Sequence, residues 1–483
     1  MRLHETLTLL LLCAAGTASG APRVDPRVHR TLQAYGTVNL IVTMKQRTTS
    51  VVSTAHEAMI PDRTQRIERL VESLEALATS SQSSVSTLLS QESSSNTPLF
   101  TSSKSFWISN QVYIRDATSE LLLKLFETSD VYSIHEEELY SPPMLATSGR
   151  ESERSSNASV DIPSPTDKDW GVVKIGAPNV WATGNLGQDV VVAAIDTGVR
   201  GTHEALRNNF RGEYGWFDPE AHLAEPYDLQ GHGTSVLSNL VGTTGTGVAP
   251  GATWMACKLC RKRACPQADL LACAEWVLCP TDPQGEHRDC SKAPRIINNS
   301  WGQQAADTSY ESIIDAWRAA GIIPVFANGN SGPFCESVNY PAGYPNVLGV
   351  GATDNKDALK LISSVGPAVN GVVKPDFIAP GGDIRAASLD SDTSYAVVSA
   401  TSIAAPHLSG SIALLLHERP DLSYDQVLRL LAETSVRTFA GPSFEQCGDP
   451  LTPDNVFPNN QFGYGRVDIH QAIEWLRSNT SGL

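Results

Sequence analysis

Residues 190–198 read VVVAAIDTG, an unbroken apolar run that ends at a carboxylate and a glycine. A continuous run of this length fits a strand buried on both faces of a parallel sheet better than the alternating strand of a half-exposed one. Further short β-rich runs of the same kind follow at Trp254 to Leu259, Arg295 to Asn298, Ile322 to Ala327 and Val347 to Ala352. Between them, Thr234 to Val241, Ala268 to Val277 and Tyr310 to Ala320 read as helices. Strands alternating with helices predict βαβ units and an α/β domain with a doubly wound, mainly parallel sheet, whose ligand site lies beyond the carboxyl ends of the strands.

Three segments fall where such a site would be. The first strand delivers Asp196 at its carboxyl end, where a buried acceptor can orient an imidazole. Gly231-His232-Gly233-Thr234 opens a helix, with glycines that let other backbone approach the ring, so His232 is a candidate general base. Ser402 stands at the start of a long apolar helix ending near Leu416, where unpaired amides and a positive dipole end favour a developing oxyanion. Singly, these residues fit a turn, a structural histidine and a helix cap. The order Asp, His, Ser, each in its expected setting, joins them into one of the known chain orders of hydrolytic triads.

From about Trp170 to about Trp475 the chain resembles the subtilisin-type serine proteases, the subtilases. Their aspartate motif appears as Ile195-Asp196-Thr197-Gly198, their histidine motif as His232-Gly233-Thr234, and their serine motif as Thr401-Ser402-Ile403-Ala404-Ala405-Pro406-His407. Gly247-Val248-Ala249-Pro250-Gly251, Asn298-Asn299-Ser300-Trp301-Gly302 and Phe462-Gly463-Tyr464-Gly465 also match. The resemblance implies a serine endopeptidase that acts on protein or peptide substrates through an acyl-enzyme. Asp196, His232 and Ser402 would then be catalytic, and Asn330 in Ala327-Asn328-Gly329-Asn330 would be the oxyanion-hole asparagine. Ser300, Trp301 and Gly302 match the edge that pairs with an extended substrate backbone. Asn339 falls near the floor of the primary specificity pocket, where the family often has glycine, so the pocket is expected to be narrower and more polar.

The departures carry expectations too. Ala400 stands where the family usually has glycine, and its methyl is expected to strain a tight turn. Ile403 replaces a methionine with a stiffer β-branched side chain. Ser235 replaces a histidine, and Ala205 occupies the position of an aspartate that anchors a strong calcium site, so no metal and no cofactor are expected. Ala400 and Ile403 motivate the alternative of a catalytically weak or inactive protein of the same fold that binds peptides or inhibitors. The acid-acting sedolisin type shares the serine motif but uses a glutamate base, whereas His232 lies in a full histidine motif.

Residues 1–20 read as a secretory signal peptide: Arg2, a short apolar run from Leu7 to Ala15, and small residues Ala18 and Gly20 before Ala21. Residues 21–140 read as a small α+β unit. It has a strand at Val38 to Met44, helical spacing of Ile67, Leu70, Val71, Leu74 and Leu77, a strand at Phe106 to Ile114, a helix at Leu121 to Phe126 and a strand at Val131 to Ile134. Ser80 to Ser105 is serine-rich and is expected to be a flexible excursion. In size, position and element order the unit fits the family's inhibitory propeptide. Residues 141–167 read as a flexible linker and processing region, and 168–483 as the catalytic domain.

Of nine cysteines, Cys13 leaves with the signal. The even remainder (Cys257, Cys260, Cys265, Cys273, Cys279, Cys290, Cys335 and Cys447) reads as disulfides of an exported chain rather than zinc ligands, with the pairing open. Sequons stand at Asn157, Asn298 and Asn479, with Asn298 in a buried strand and expected to stay unmodified. With 36 basic and 52 acidic residues the net charge is −16, which argues against nucleic acid and anionic membranes as partners. A hydrophobic fraction of 41% excludes wholesale disorder. A secreted monomer that cuts peptides and is restrained by its own propeptide is the sum of these expectations.

Overall fold

The computed structural model describes residues 20–58, 60–143, 145–150, 168–304, 308–439, 446–448, 453 and 455–479. The segment expected to be a signal peptide, apart from Gly20, and Asn157 lie outside them. The chain divides into two compact units, one taking in the described residues before 60 together with 68–139 and 266–275, the other 60–67, 140–265 and 276–483.

The second unit is built on strands β1 (Ala146–Arg150), β2 (Val191–Asp196), β3 (Trp216–Phe217), β4 (Thr253–Lys258), β5 (Ile296–Asn299), β6 (Ile323–Ala327), β7 (Leu348–Thr353), β8 (Phe377–Pro380), β9 (Ile384–Ala387) and β10 (Tyr395–Ser399). Seven of them form one parallel sheet in the order β8-β7-β6-β5-β2-β4-β3. The five apolar runs seen in the sequence are β2, β4, β5, β6 and β7, each within a residue or two of its expected ends. From β2 the chain builds outward through β3 and β4, then crosses to β5 and builds the other way. The order therefore reverses at β2 and β5, which makes their carboxyl ends the topological switch point.

Helices α1 (His232–Val241) and α2 (Thr401–Glu418) share the core with this sheet. Apolar nearly all round, α2 is buried continuously from Thr401 to Leu416, as expected of a helix enclosed by its own protein. Its Leu408, Ile412 and Leu415 pack in one cluster with Leu237 and Leu240 of α1 and with Ala194, Val325, Val350 and Phe377 of the sheet. β9, β10 and β1 form a separate antiparallel sheet, in that order. The linker expectation for 141–167 is thus corrected in part. Ala146–Arg150 forms a strand, because β10 leaves an open edge whose backbone groups need partners, while residues 144 and 151–167 lie outside the described residues.

The first unit carries a five-stranded sheet in the order Arg23–Val24, Val131–Glu136, Thr37–Met44, Gln111–Thr118, Ser102–Phe106. Its core joins Val28, Leu32, Leu40, Val42, Ile114, Leu121, Leu125 and Ile134. Two expectations fail here. The serine-rich stretch is ordered: helix Arg63–Ser81 is followed by helix Ser83–Ser93, because Val85 and Leu89 sit one turn apart and bury against the sheet. Buried Ser81 and Gln82 also bond the Asn110 side chain, at 2.9 Å each. Phe106 to Ile114 is a hairpin corner between two strands rather than one strand.

Among the described residues all eight cysteines are disulfide-bonded, and three of the bridges are Cys260–Cys265, Cys279–Cys290 and Cys335–Cys447. Among the described residues no helix is long and apolar enough to cross a membrane.

Candidate active site

Five of the residues singled out in the second unit fall at or just beyond the carboxyl ends of strands or at a helix start. Asp196 ends β2, Ser300 follows β5, Asn330 follows β6 by three residues, His232 opens α1, and Ser402 is the second residue of α2.

The Asp196–His232 pair is the best-defined part. His232 Nδ1 donates to Asp196 Oδ1 at 2.7 Å, and both side chains are 2% exposed. The same oxygen accepts the Thr197 amide at 2.7 Å, which fixes the carboxylate plane. Gly233 lets the two elements meet: a Cβ there would stand 2.2 Å from the Gly198 carbonyl oxygen and 3.0 Å from Asp196 Cβ. Any side chain at 233 would push α1 off the Asp196 turn.

The sequence reading missed the residue that braces this pair. Asp228 Oδ1 accepts Thr197 Oγ1 and the amides of Gln230 and Gly231, while Oδ2 accepts the amide and hydroxyl of Thr234. One carboxylate therefore ties the loop after Asp196 to the first turn of the helix bearing His232, where its charge also meets the positive end of the helix. The only sequence signal is an acidic residue four positions before the histidine, and that is common before helices.

Ser402 is 3% exposed, and its hydroxyl donates to the Ser300 carbonyl at 3.1 Å, while Ser300 Oγ donates back to the Ser402 carbonyl at 2.9 Å. The second bond exists because Pro406, four residues on, has no N–H to give to that carbonyl. Ser402 Oγ does not bond His232 in this structure, and His232 Nε2 is buried without a hydrogen-bond partner. Ser300 is held in turn by Asn298, whose Nδ2 donates to Ser300 Oγ at 3.0 Å and whose Oδ1 accepts Ser409 Oγ at 2.9 Å. With its amide engaged at both ends and no exposed surface, Asn298 is not accessible as a glycan acceptor.

Asn330 is exposed, and its Oδ1 accepts both the amide and the hydroxyl of Thr401, at 2.8 and 2.9 Å. Two donors on one oxygen fix the orientation of the amide, so its NH2 group is the end turned away from Thr401. Gly329 makes this loop possible: its φ is +115°, and a Cβ there would lie 2.7 Å from both Asn339 Cγ and Ser364 Oγ. Asn339 thus sits against Gly329, and it also lies 3.2 Å from the Cβ position of Gly302. Its Oδ1 is buried without a partner. Trp301 packs edge-on to Phe326 and Tyr310, and Gln303 and Tyr340 exchange backbone hydrogen bonds of 3.0 and 2.7 Å.

The departures turn out to be mild. Ala400 has φ −172° and ψ 161°, extended backbone open to any residue, so the expected strain is absent. Its methyl packs with Val236, Ala386 and Ile403. Ser235 donates to the Ala387 carbonyl at 2.7 Å, and Ala205 is buried in the apolar core.

The sequence of residues 187–465, more than half the chain, matches the model of the subtilase family. Among known proteins, bacillopeptidase F of Bacillus subtilis is 38% identical over 336 residues, which cover 65% of this chain but 22% of that protein. Subtilisin NAT of Bacillus subtilis subsp. natto is 32% identical over 285 residues, covering 57% of this chain and 67% of that protein. Subtilisin Savinase of Lederbergia lenta is 30% identical over 272 residues, 55% of this chain and 90% of that one. The chain therefore spans about a fifth of the first relative and most of the others. With its parallel sheet, its Asp-His-Ser order and this family match, the chain belongs to the subtilase family of serine peptidases.

Proposed function

We propose that this protein is a secreted serine endopeptidase made as a self-processing zymogen. The observation that carries the reading is the buried 2.7 Å Asp196–His232 bond, which leaves His232 Nε2 without a partner in the same site as Ser402. For the chemistry, the Ser402 hydroxyl leaves the Ser300 carbonyl and donates to His232 Nε2 instead. His232 then takes the hydroxyl proton as Ser402 attacks the peptide carbonyl, and later returns it to the leaving amine. Asp196 holds the Nδ1–H tautomer and stabilises the imidazolium.

The developing oxyanion would receive the Asn330 NH2 group and the Ser402 amide, an unpaired donor in the first turn of α2. Substrate would pair with the Ser300–Gly302 edge, and Asn339 would make the primary pocket narrower and more polar than a glycine would. Residues 21–140 act in this reading as the inhibitory propeptide and 1–20 as the signal that sends the chain into an oxidising compartment, which the disulfides favour. The product is an endopeptidase of protein or peptide substrates that works as a monomer.

A fluorophosphonate probe at neutral pH tests this. We expect the processed protein to be labelled, and Ser402→Ala and His232→Ala to abolish labelling. A processed, folded wild-type protein that stays unlabelled would overturn the proposal in favour of a peptide-binding protein.

A further inference from the structure

Beyond its last residue, β2 leaves a place in the sheet with a wall on either side. Lys258 of β4 is level with Asp196, and Asn298 of β5 is level with Ala194, so Ser300, two residues on, flanks Asp196 from the other side. The chain after Asp196 turns aside at Gly198, whose φ is +116°, and bridges to Asp228. Its two neighbours run on instead, as residues 259–265 and 300–302. Adjacent strands lie about 4.8 Å apart, so these continuations start about 10 Å from each other, the width that one extended chain fills. A peptide paired with Ser300–Gly302 therefore turns its other edge to the segment that follows β4.

That segment is fixed in place and basic. The Leu259 amide donates to the Asp196 carbonyl at 2.7 Å, and a disulfide joins Cys260 to Cys265. Within the closed loop the Arg261 amide donates to the Ala264 carbonyl at 2.8 Å. Gln230, two residues before His232, ties the loop to the start of α1: its Nε2 donates to the carbonyls of Arg261 and Lys262 at 2.8 and 3.3 Å. The tip reads Arg261-Lys262-Arg263. Nearby carboxylates are already engaged. Glu220 is shared between buried Lys258 and Arg261, at 3.6 and 3.8 Å, and Asp218 accepts the Tyr227 hydroxyl at 2.6 Å. Lys262 and Arg263 are exposed, and among the described residues neither has an ion-pair partner. In a chain of net charge −16, two cations held on a closed loop beside the Asp196–His232 pair form a local positive field. A loop already fixed by a disulfide and by Gln230 loses little freedom when a ligand meets it.

We propose that Lys262 and Arg263 select substrates that carry an acidic side chain two to four residues before the scissile bond. The proposal rests on the endopeptidase reading above and adds the substrate class to it. The acyl half of a substrate stays esterified to Ser402, whose hydroxyl lies on the Ser300 carbonyl, so this is the half that the place beyond β2 holds. Main-chain pairing with Ser300–Gly302 is blind to sequence, and the basic tip across from it supplies the discrimination, by attraction for Glu or Asp and repulsion of Lys or Arg.

The test uses the processed protein and internally quenched peptides that differ only in Glu, Ala or Lys at the second, third or fourth residue before the cleaved bond. We expect kcat/KM to favour Glu over Lys at least fivefold at one or more of these positions in low salt. In 1 M NaCl, where the screening length is about 3 Å, the ratio should fall below twofold. Lys262→Gln with Arg263→Gln should bring it close to one, and Lys262→Glu with Arg263→Glu should invert it. The ratio is the readout because a merely disturbed enzyme slows on both peptides alike. A wild-type ratio below twofold at all three positions, or a ratio that both double variants leave unchanged, would overturn the assignment and leave the endopeptidase reading standing. A protein that takes the fluorophosphonate probe yet cleaves none of these peptides, the Glu set included, would also overturn it. One that neither cleaves nor is labelled would overturn both.

Discussion

His407 sets an acid limit on the stability of the second unit. It lies in α2 five residues after Ser402, fully buried, with Nδ1–H donated to the Ile403 carbonyl at 2.8 Å. Nε2 is buried without a partner, and a Cβ on Gly171 would come within 2.5 Å of it. Burial lowers its pKa from 6.5 to about 4, with the bond to Ile403 opposing weakly. The unfolded chain therefore binds a proton near pH 6.5 that the folded one refuses until about pH 4. Its contribution to stability is complete above pH 6.5 and is lost as pH falls through that window, in total about 3 kcal/mol at 1.36 kcal/mol per unit. Asp169 runs the other way: burial raises it from 3.8 to about 6, so its contribution declines as pH rises through that range. Guanidinium unfolding of Ser402→Ala, with and without His407→Gln, at pH 7.0, 6.0, 5.0 and 4.5 separates the two. The stability difference between the two proteins should shrink by about 1 kcal/mol per pH unit below 6. Parallel pH profiles would refute the reasoning, whatever constant offset the substitution introduces.

Asn330→Ala should lower kcat on a peptide substrate by about 100- to 1,000-fold with little change in KM, since removing one oxyanion donor costs about 2.7–4 kcal/mol, a magnitude known from the subtilisins. A kcat within threefold of wild type would remove Asn330 from the oxyanion hole. In the first unit, Glu275 Oε1 accepts the amides of Trp107 and Ile108 at 2.6 and 3.3 Å, and burial pushes its carboxyl from 4.5 up to about 8. The unfolded state releases that proton first, so this unit should lose stability as pH rises between those values. Hydrogen exchange at the amides of residues 107 and 108, corrected for intrinsic rate, should lose protection from pH 6 to pH 8.5. Glu275→Gln should be flat, and equal slopes would count against the account.

The parallel sheet was legible because each of its long strands is buried on both faces and so must be a contiguous apolar run. β3 was not, since Trp216–Phe217 is too short to pattern, and β8 hides in a stretch with prolines at both 375 and 380. Serine content outweighed the spacing of Val85 and Leu89, although two buried residues one turn apart settle a short helix more firmly than composition does. Asp196, His232, Ser402 and Asn330 stood out as candidates because the chemistry proposed for them is written in their own side chains and immediate neighbours. Asp228 acts through backbone amides, and Ser300 through its own carbonyl, so neither has a side-chain signature. The error at Ala400 came from assuming a tight turn where the backbone is extended.

Asp228 also closes the long excursion that separates the two elements of the site. Residues 199–227 leave from Gly198 and return to Asp228, and those two residues form a bridge with each other. The excursion carries Ala205, Leu206 and Trp216 into the core, and the Asp228 clamp at its neck is what holds its ends beside the Asp196–His232 pair. A change within the excursion is therefore felt first in the packing of the sheet's edge, and only a change at its neck is felt directly at the Asp196–His232 bond.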